Sequence, residues 1–97
     1  MNIQKLMRQA QQMQEKMQRE LGELVVEASV GGGVVRARMT GHKVLVGIEI
    51  DPEAMDPKDL AMLQDLILSA VNEAGRKVDE EMQGRLGSMA GGIPGLS

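Results

Sequence analysis

The sequence predicts an α+β fold with a long N-terminal helix, a three-stranded antiparallel meander and a long C-terminal helix. Apolar residues recur at steps of three and four at both ends of the chain, which is the helical period. Between residues 24 and 50 they alternate with polar residues and are interrupted by short glycine-containing turns. At 97 residues the chain is one small domain, which we place at residues 1–87, followed by a Gly-rich flexible tail at residues 88–97.

The first helix is amphipathic. One arc of its helical wheel is apolar and is formed by Ile3, Leu6, Met7, Ala10, Met13, Met17 and Leu21. The opposite arc carries all four cations of the segment, with Gln12 in their middle and Gln9 at their edge: Lys5, Arg8, Lys16 and Arg19. Because methionine adapts easily to its neighbours, the methionines of the apolar arc favour core and dimer packing.

The segment "GGGVV" is predicted to turn the first strand into the second. Only a turn of even length keeps the apolar side chains of both strands on one face. A two-residue Gly32-Gly33 turn pairs Val30 with Val35 and supplies the positive φ angles of a primed hairpin. A phosphate-binding loop would need a helix directly after the glycines, and a strand pattern follows them instead.

A second two-residue turn, Gly41-His42, is predicted between the second and third strands. It pairs Ala37 with Val46 and assigns Val44 and Val46 to the apolar face. We expect His42 to be a solvated turn residue without a chemical role.

The second long helix is predicted to start at Asp56, as N-cap, and Pro57, as first helical residue. Apolar residues then continue at helical spacing: Leu60, Leu63, Ile67, Ala70, Val71, Ala74 and Val78. The two helices are expected to cover one face of the sheet. The edges of the sheet then expose unpaired backbone N–H and C=O groups, which favour aggregation. Pairing the edges across a dimer removes this risk.

Composition excludes several kinds of function. Without Cys and with a single His, the chain has no disulfide, thiolate nucleophile or Cys/His metal site, and no catalytic pairing is recognisable. We therefore predict no enzyme activity, cofactor, metal or small-molecule substrate. Without aromatic residues, base stacking is unavailable. The N-terminus is too polar for a signal peptide and no run reaches transmembrane length, so a cytoplasmic protein with no membrane partner is expected.

Charge is distributed unevenly along the chain. The formal net charge is −3, yet residues 1–21 carry four cations against two carboxylates, whereas residues 51–97 carry nine carboxylates against four cations. The acidity is therefore concentrated at the C-terminal end of the chain, whereas the first helix is basic.

Several segments, taken in order, resemble the YbaB/EbfC family of bacterial nucleoid-associated proteins: "GGGVV", "TGHKVLVGIEID", "AVNEAGRKVDEEM" and the terminal "GGIPGL". The resemblance covers essentially the whole chain. It implies a small α/β homodimer in which the sheets join the subunits and the long helices project like the arms of tweezers. It also implies binding of double-stranded DNA with little or variable sequence preference, a location in the nucleoid, and a part in organising it and influencing transcription.

With this resemblance, the first helix becomes the predicted DNA-contacting element. Its cations neutralise phosphates, and Gln12, with Gln9 at the edge, is placed to reach base edges, so the predicted site is Lys5, Arg8, Gln12, Lys16 and Arg19. Secondary candidates have carboxylates near them in sequence or across strands and rank lower: Arg36, Arg38, Lys43, Arg76 and Lys77.

A protein-interaction module is the alternative function. In that case the helices or the tail dock on replication or recombination proteins, and DNA contact is incidental. The alignment of the four cations distinguishes the two hypotheses, because an interaction module does not need it.

Overall fold

The computed structural model describes residues 2–91 and has the predicted order of elements. Helix α1 is followed by a three-stranded antiparallel sheet, with β2 in its centre, and by helix α2. The bounds are α1 Ile3–Glu23, β1 Val25–Val30, β2 Val35–Thr40, β3 Leu45–Ile50 and α2 Leu60–Gly91. The predicted α+β fold is confirmed. Neither helix, over the part of the chain described, is long and apolar enough to cross a membrane.

The core lies between α2 and one face of the sheet, where α2 packs mainly over β1 and β2. Its buried residues form one cluster: Ala28, Val35, Ala37, Met39, Ala70, Ala74 and Val78. Four of them are alanines with no exposed surface, two on the strands and two on α2; we call Ala28, Ala37, Ala70 and Ala74 the alanine seam. Side chains this small let α2 approach the sheet closely.

The register of the first hairpin is as predicted, with Val30 opposite Val35, and this register places Glu27 opposite Arg38. The turn itself is longer than predicted, because Gly31–Gly33 forms a short 3-10 turn and the strands end at Val30 and Val35. All three glycines have positive φ. A backbone of this kind strains any residue with a Cβ, which explains three glycines in a row.

The predicted register of the second hairpin is wrong. Ala37 lies opposite Ile48 rather than Val46, and the pairing shifts between Arg38 and Met39, which leaves Val46 as an extra residue in β3. This β-bulge places Leu45, rather than Val44, opposite Met39, and Val44 and Val46 are 55% and 54% exposed instead of buried. Period-two alternation does not distinguish registers that differ by two residues.

Helix α2 starts later than predicted. Asp59 accepts the backbone N–H of Met62 through its Oδ1 at 3.2 Å and is the capping residue. Asp56 instead closes a separate turn, with its Oδ1 accepting the N–H of Lys58 at 2.9 Å. At its other end α2 runs to Gly91, so residues 88–91 of the predicted tail are helical. The rest of that tail, residues 92–97, lies outside the described residues.

Helix α1 stands clear of the core. None of its residues is buried, and Met7 and Met13 are 61% and 62% exposed. The prediction that both helices cover the sheet and that these methionines enter the core of one chain is therefore wrong; their packing in a dimer stays a prediction. The radius of gyration is 19.1 Å, whereas a compact chain of this length has about 12.5 Å.

Replacing Gly75 with Ala tests the packing of α2. Nothing lies within 4 Å of a Cβ at this position, and alanine stabilises a helix interior by about 0.8–1 kcal/mol relative to glycine. We expect a higher melting temperature in thermal unfolding followed by circular dichroism. A lower one would mean that another surface packs against Gly75.

Candidate nucleic-acid interface

The four cations of α1 lie on one exposed face of an exposed helix; we call Lys5, Arg8, Lys16 and Arg19, with Gln12 between them, the cationic face. From Lys5 to Arg19 this face extends about 21 Å along the helix axis, at 1.5 Å per residue. Lys16 lies 4.0 Å from Glu20, a distance at which a surface ion pair contributes little. Among residues 2–91, Lys5, Arg8 and Arg19 have no carboxylate oxygen within 4.0 Å. Gln9 is also exposed, at the edge of this face.

The secondary candidates on the polar face of the sheet are engaged by carboxylates. Arg36 lies 2.7 Å from Glu49 and 4.0 Å from Glu27, and Arg38 lies 3.6 Å from the other oxygen of Glu49. The two carboxylates lie on the strands that flank β2, so they reach its arginines from both sides. These charges largely neutralise one another.

Arg76, a secondary candidate on α2, forms an ion-pair network along its own helix. Its Nε donates to Glu73 Oε2 at 3.0 Å, and its other nitrogens donate to Glu73 and Glu80. The hydrogen bond from Arg76 lowers the pKa of Glu73, and the same bond is the main cause that raises the pKa of Arg76. This guanidinium is not available to an external phosphate without breaking those bonds.

The two remaining secondary candidates also have partners within the fold. Lys43 forms an ion pair with Asp79 of α2 at 2.8 Å. Lys77 donates from its Nζ to the backbone carbonyl of Glu27 at 2.8 Å, which ties α2 to β1. Each of the five secondary candidates is therefore held by a carboxylate or a carbonyl group of the chain itself, which singles out the cationic face.

The turn between β2 and β3 contacts the C-terminal end of α1. The N–H of Gly41 donates to the carbonyls of Leu21 at 2.9 Å and Leu24 at 3.1 Å. His42 is exposed, as predicted, but its Nε2 lies 3.1 Å from the carbonyl oxygen of Gln18. Sequence reasoning missed this contact because its partners are about 20 positions apart and neither carries a distinctive motif.

An open cleft of about 410 Å³ separates the end of α1 from α2. Its apolar lining comes from Met17 and Leu21 on one helix and from Met82 and Leu86 on the other. The two helices are therefore not packed tightly together at this level. Residues 2–91 contain no cluster of metal-ligating side chains.

The thin helix-and-sheet body thus carries a protruding helix with exposed cations on one face, of which Lys16 alone has a carboxylate contact among the described residues. Exposed cations that share one helix face form the kind of surface that binds polyanions through charge. Comparison with known proteins defines the class further. The pattern of the YbaB/EbfC DNA-binding family matches residues 1–93. The chain belongs to this family, as its motifs indicated.

Two curated relatives illustrate the similarity. A protein named "Nucleoid-associated protein" from Acetivibrio thermocellus is 51% identical over 98 residues, which cover 98% of this chain and 87% of the relative. A protein of the same name from Chloroflexus aurantiacus is 44% identical over 99 residues and 99% of both chains. The family is not a family of enzymes.

Among solved structures, the fold resembles the uncharacterized protein HP0035 from Helicobacter pylori. The TM-score is 0.67 at 21% sequence identity, over 87% of this chain and 98% of that one. This likeness supports the architecture of a long helix, a three-stranded sheet and a second long helix.

Proposed function

We propose that the protein binds double-stranded DNA as a homodimer, with the cationic face of α1 in each subunit contacting the DNA backbone. The observation that carries this proposal is the contrast between cations. Those of α1 are exposed and, apart from the long contact of Lys16 with Glu20, have no carboxylate partner among the described residues, whereas the other five candidates are engaged within the fold.

Backbone phosphates are the chemistry that this face suits. The face extends about 21 Å and carries four cations, each of which can neutralise one backbone phosphate. Arginine and lysine that neutralise phosphates release counterions and bind without reading sequence. Gln12 lies in the middle of the face and is the side chain placed to reach a base edge. Affinity with little sequence preference follows.

We propose that a second copy of the chain packs against β3. Helix α2 packs mainly over β1 and β2, and the β3 side exposes a continuous apolar run of Val44, Leu45 and Val46. A sheet edge with exposed apolar residues is a liability that dimerisation removes. The chain measures 69 × 28 × 15 Å along its principal axes. This long, thin shape also fits a subunit that shares its core with a partner.

The place of action that we propose is the nucleoid, where the protein organises DNA and influences transcription. This location is supported by the names of the relatives, which are nucleoid-associated proteins at 44–51% identity over nearly the whole chain. Binding through phosphates over many sites is the physical property that such a role requires.

The salt dependence of duplex binding tests the DNA contact. If each arm neutralises two to four phosphates, the logarithm of the affinity falls with the logarithm of salt concentration with a slope of about −4 to −7. The measurement is a gel shift or anisotropy titration at several salt concentrations, with unlabelled duplex competitors of different sequence. Absence of binding at about 0.05 M salt would reject DNA as the partner. The interaction module acting with replication or recombination proteins would then replace it.

A further inference from the structure

The orientation of α1 depends on a single connecting residue. Leu24 alone joins the end of α1 to the start of β1. Rotation about its φ and ψ would swing the whole helix, which is about 30 Å long at 1.5 Å per residue, so that 10° at Leu24 moves the N-terminal tip by about 5 Å. A displacement of that size exceeds the length of a charge-assisted hydrogen bond, about 2.7–2.9 Å, so it is large enough to break contacts between cations and phosphates.

Packing between the two helices does little to oppose this rotation. No residue of α1 is buried. The cleft of about 410 Å³ lies between the two helices, with Met17 on one side and Leu86 on the other. Within one chain, the restraint on α1 must therefore come from the sheet.

That restraint is the turn between β2 and β3, residues 41–43, which we call the brace. Gly41 donates its N–H to the carbonyl of Leu21 in α1 and to that of the connecting residue Leu24, and His42 reaches the carbonyl of Gln18, one turn earlier. Lys43 has a left-handed backbone, with φ of 62°, and pairs with Asp79 of α2. The brace thus contacts both long helices at once.

Gly41 is required by space rather than by backbone conformation. The left-handed glycines among the described residues are Gly31, Gly32 and Gly33, so Gly41 adopts an angle open to any residue. A Cβ on Gly41, however, would lie 2.6 Å from the carbonyl oxygen of Leu21 and 3.1 Å from its Cα. Both atoms belong to the backbone of α1, so any larger residue must push the helix away.

We propose that Gly41 and His42 are positioning residues for DNA binding: they hold α1 at one angle to the sheet and so fix where the cationic face meets the phosphates. The functional half of this inference rests on the proposed DNA binding. The mechanical half, a fixed angle of α1, does not.

An electron-resonance distance measurement tests the mechanical half. The chain has no cysteine, so Gln11→Cys on α1 and Asn72→Cys on α2 give two specific spin-label sites, both at exposed positions. Labelled chains are diluted with excess unlabelled protein so that distances within one chain dominate. We expect one narrow distance distribution for the parent, a displaced one for Gly41→Ala and a broadened one for His42→Ala.

Two further variants separate positioning from general destabilisation. His42→Gln keeps an N–H donor at similar reach and should restore the narrow distribution. Gly75→Ala introduces the same methyl group where nothing lies within 4 Å, and should leave the distribution unchanged. Circular dichroism of each variant checks that the fold is retained; if Gly41→Ala does not fold, the pair His42→Ala and His42→Gln decides.

Duplex affinity measured on the same variants tests the functional half. Gly41→Ala should lose about tenfold or more, as expected when one or two phosphate contacts are displaced, and His42→Gln should bind like the parent. Unchanged distances in both Gly41→Ala and His42→Ala would refute the brace. Displaced distances with parental affinity would refute its role in binding. If the parent fails to bind DNA, the functional half falls with the proposed function, while the distances still decide the mechanical half.

Discussion

Replacing Arg8 and Lys16 with Glu in both subunits is expected to remove most of the measurable affinity for duplex DNA of any sequence. The four substituted sites of the dimer change its charge by about −8 and remove about four phosphate contacts, so at about 0.1 M salt the loss is at least 100-fold. The residual salt slope should be shallower by about 3 to 4. Both side chains are exposed, so circular dichroism and dimer mass should stay parental.

A charge-matched variant of both helices is the control. Four exposed glutamines outside the cationic face and the apolar arc, replaced by Glu, give the same change in net charge without removing a cation: Gln4, Gln11 and Gln18 on α1, and Gln83 on α2. Screened repulsion weakens binding modestly, but the parental salt slope should persist because the contacts remain. If Arg8→Glu with Lys16→Glu binds as tightly as the parent, α1 is not the DNA-contacting element.

Replacing Val46 with Lys is expected to convert the dimer into monomers at micromolar concentration. The side chain is 54% exposed in the single chain, so the monomer fold tolerates the charge. In a dimer that covers β3, an unpaired ammonium group would be buried, at a cost of about 3 kcal/mol or more, which weakens association more than 100-fold. Light scattering after gel filtration measures the mass. The dependence of the parent's melting temperature on protein concentration measures the coupling of folding to association.

Val25→Lys is the matched control on the opposite edge of the sheet. Val25 lies on β1 and is 51% exposed, so the substitution is chemically the same at nearly the same exposure. It should remain dimeric. A monomer from Val25→Lys with a dimer from Val46→Lys would move the interface to β1, and a monomeric parent would reject the dimer altogether.

The parts of the fold that follow from local pattern were predictable from the sequence. Alternation over β1 and β2 specified the pairing of Val30 with Val35, and the glycines marked the turn between them. Helical spacing identified Ala70, Ala74 and Val78 as the buried face of α2. The start of α2 was misplaced because Asp56 and Asp59 are both good capping residues, and only the structure shows which one receives the N–H of Met62.

The rest depended on contacts between distant segments. An apolar stripe indicates that α1 packs against another surface, but it does not identify that surface. Met7 and Met13 were therefore assigned to core and dimer packing, whereas the core of the chain is filled by α2 without them. The bulge at Val46 preserves alternation on either side of it and leaves no signal in the pattern. For the candidate site, the cationic face was readable from the helical period. The brace was not, because it arises where Gly41 meets the backbone of Leu21.

The alanine seam limits how this protein can change over time. Four side chains of one carbon each set the distance between α2 and the sheet, and none has any exposed surface. Enlarging one of them alone lifts the helix from the strands, which costs about 1–3 kcal/mol in a close-packed core. Enlargement is tolerated only when a facing residue shrinks at the same time. Among relatives of this chain, substitutions at Ala28, Ala37, Ala70 and Ala74 are therefore expected to occur in compensating pairs, while the surface of α1 outside its cationic face and its apolar arc diverges freely.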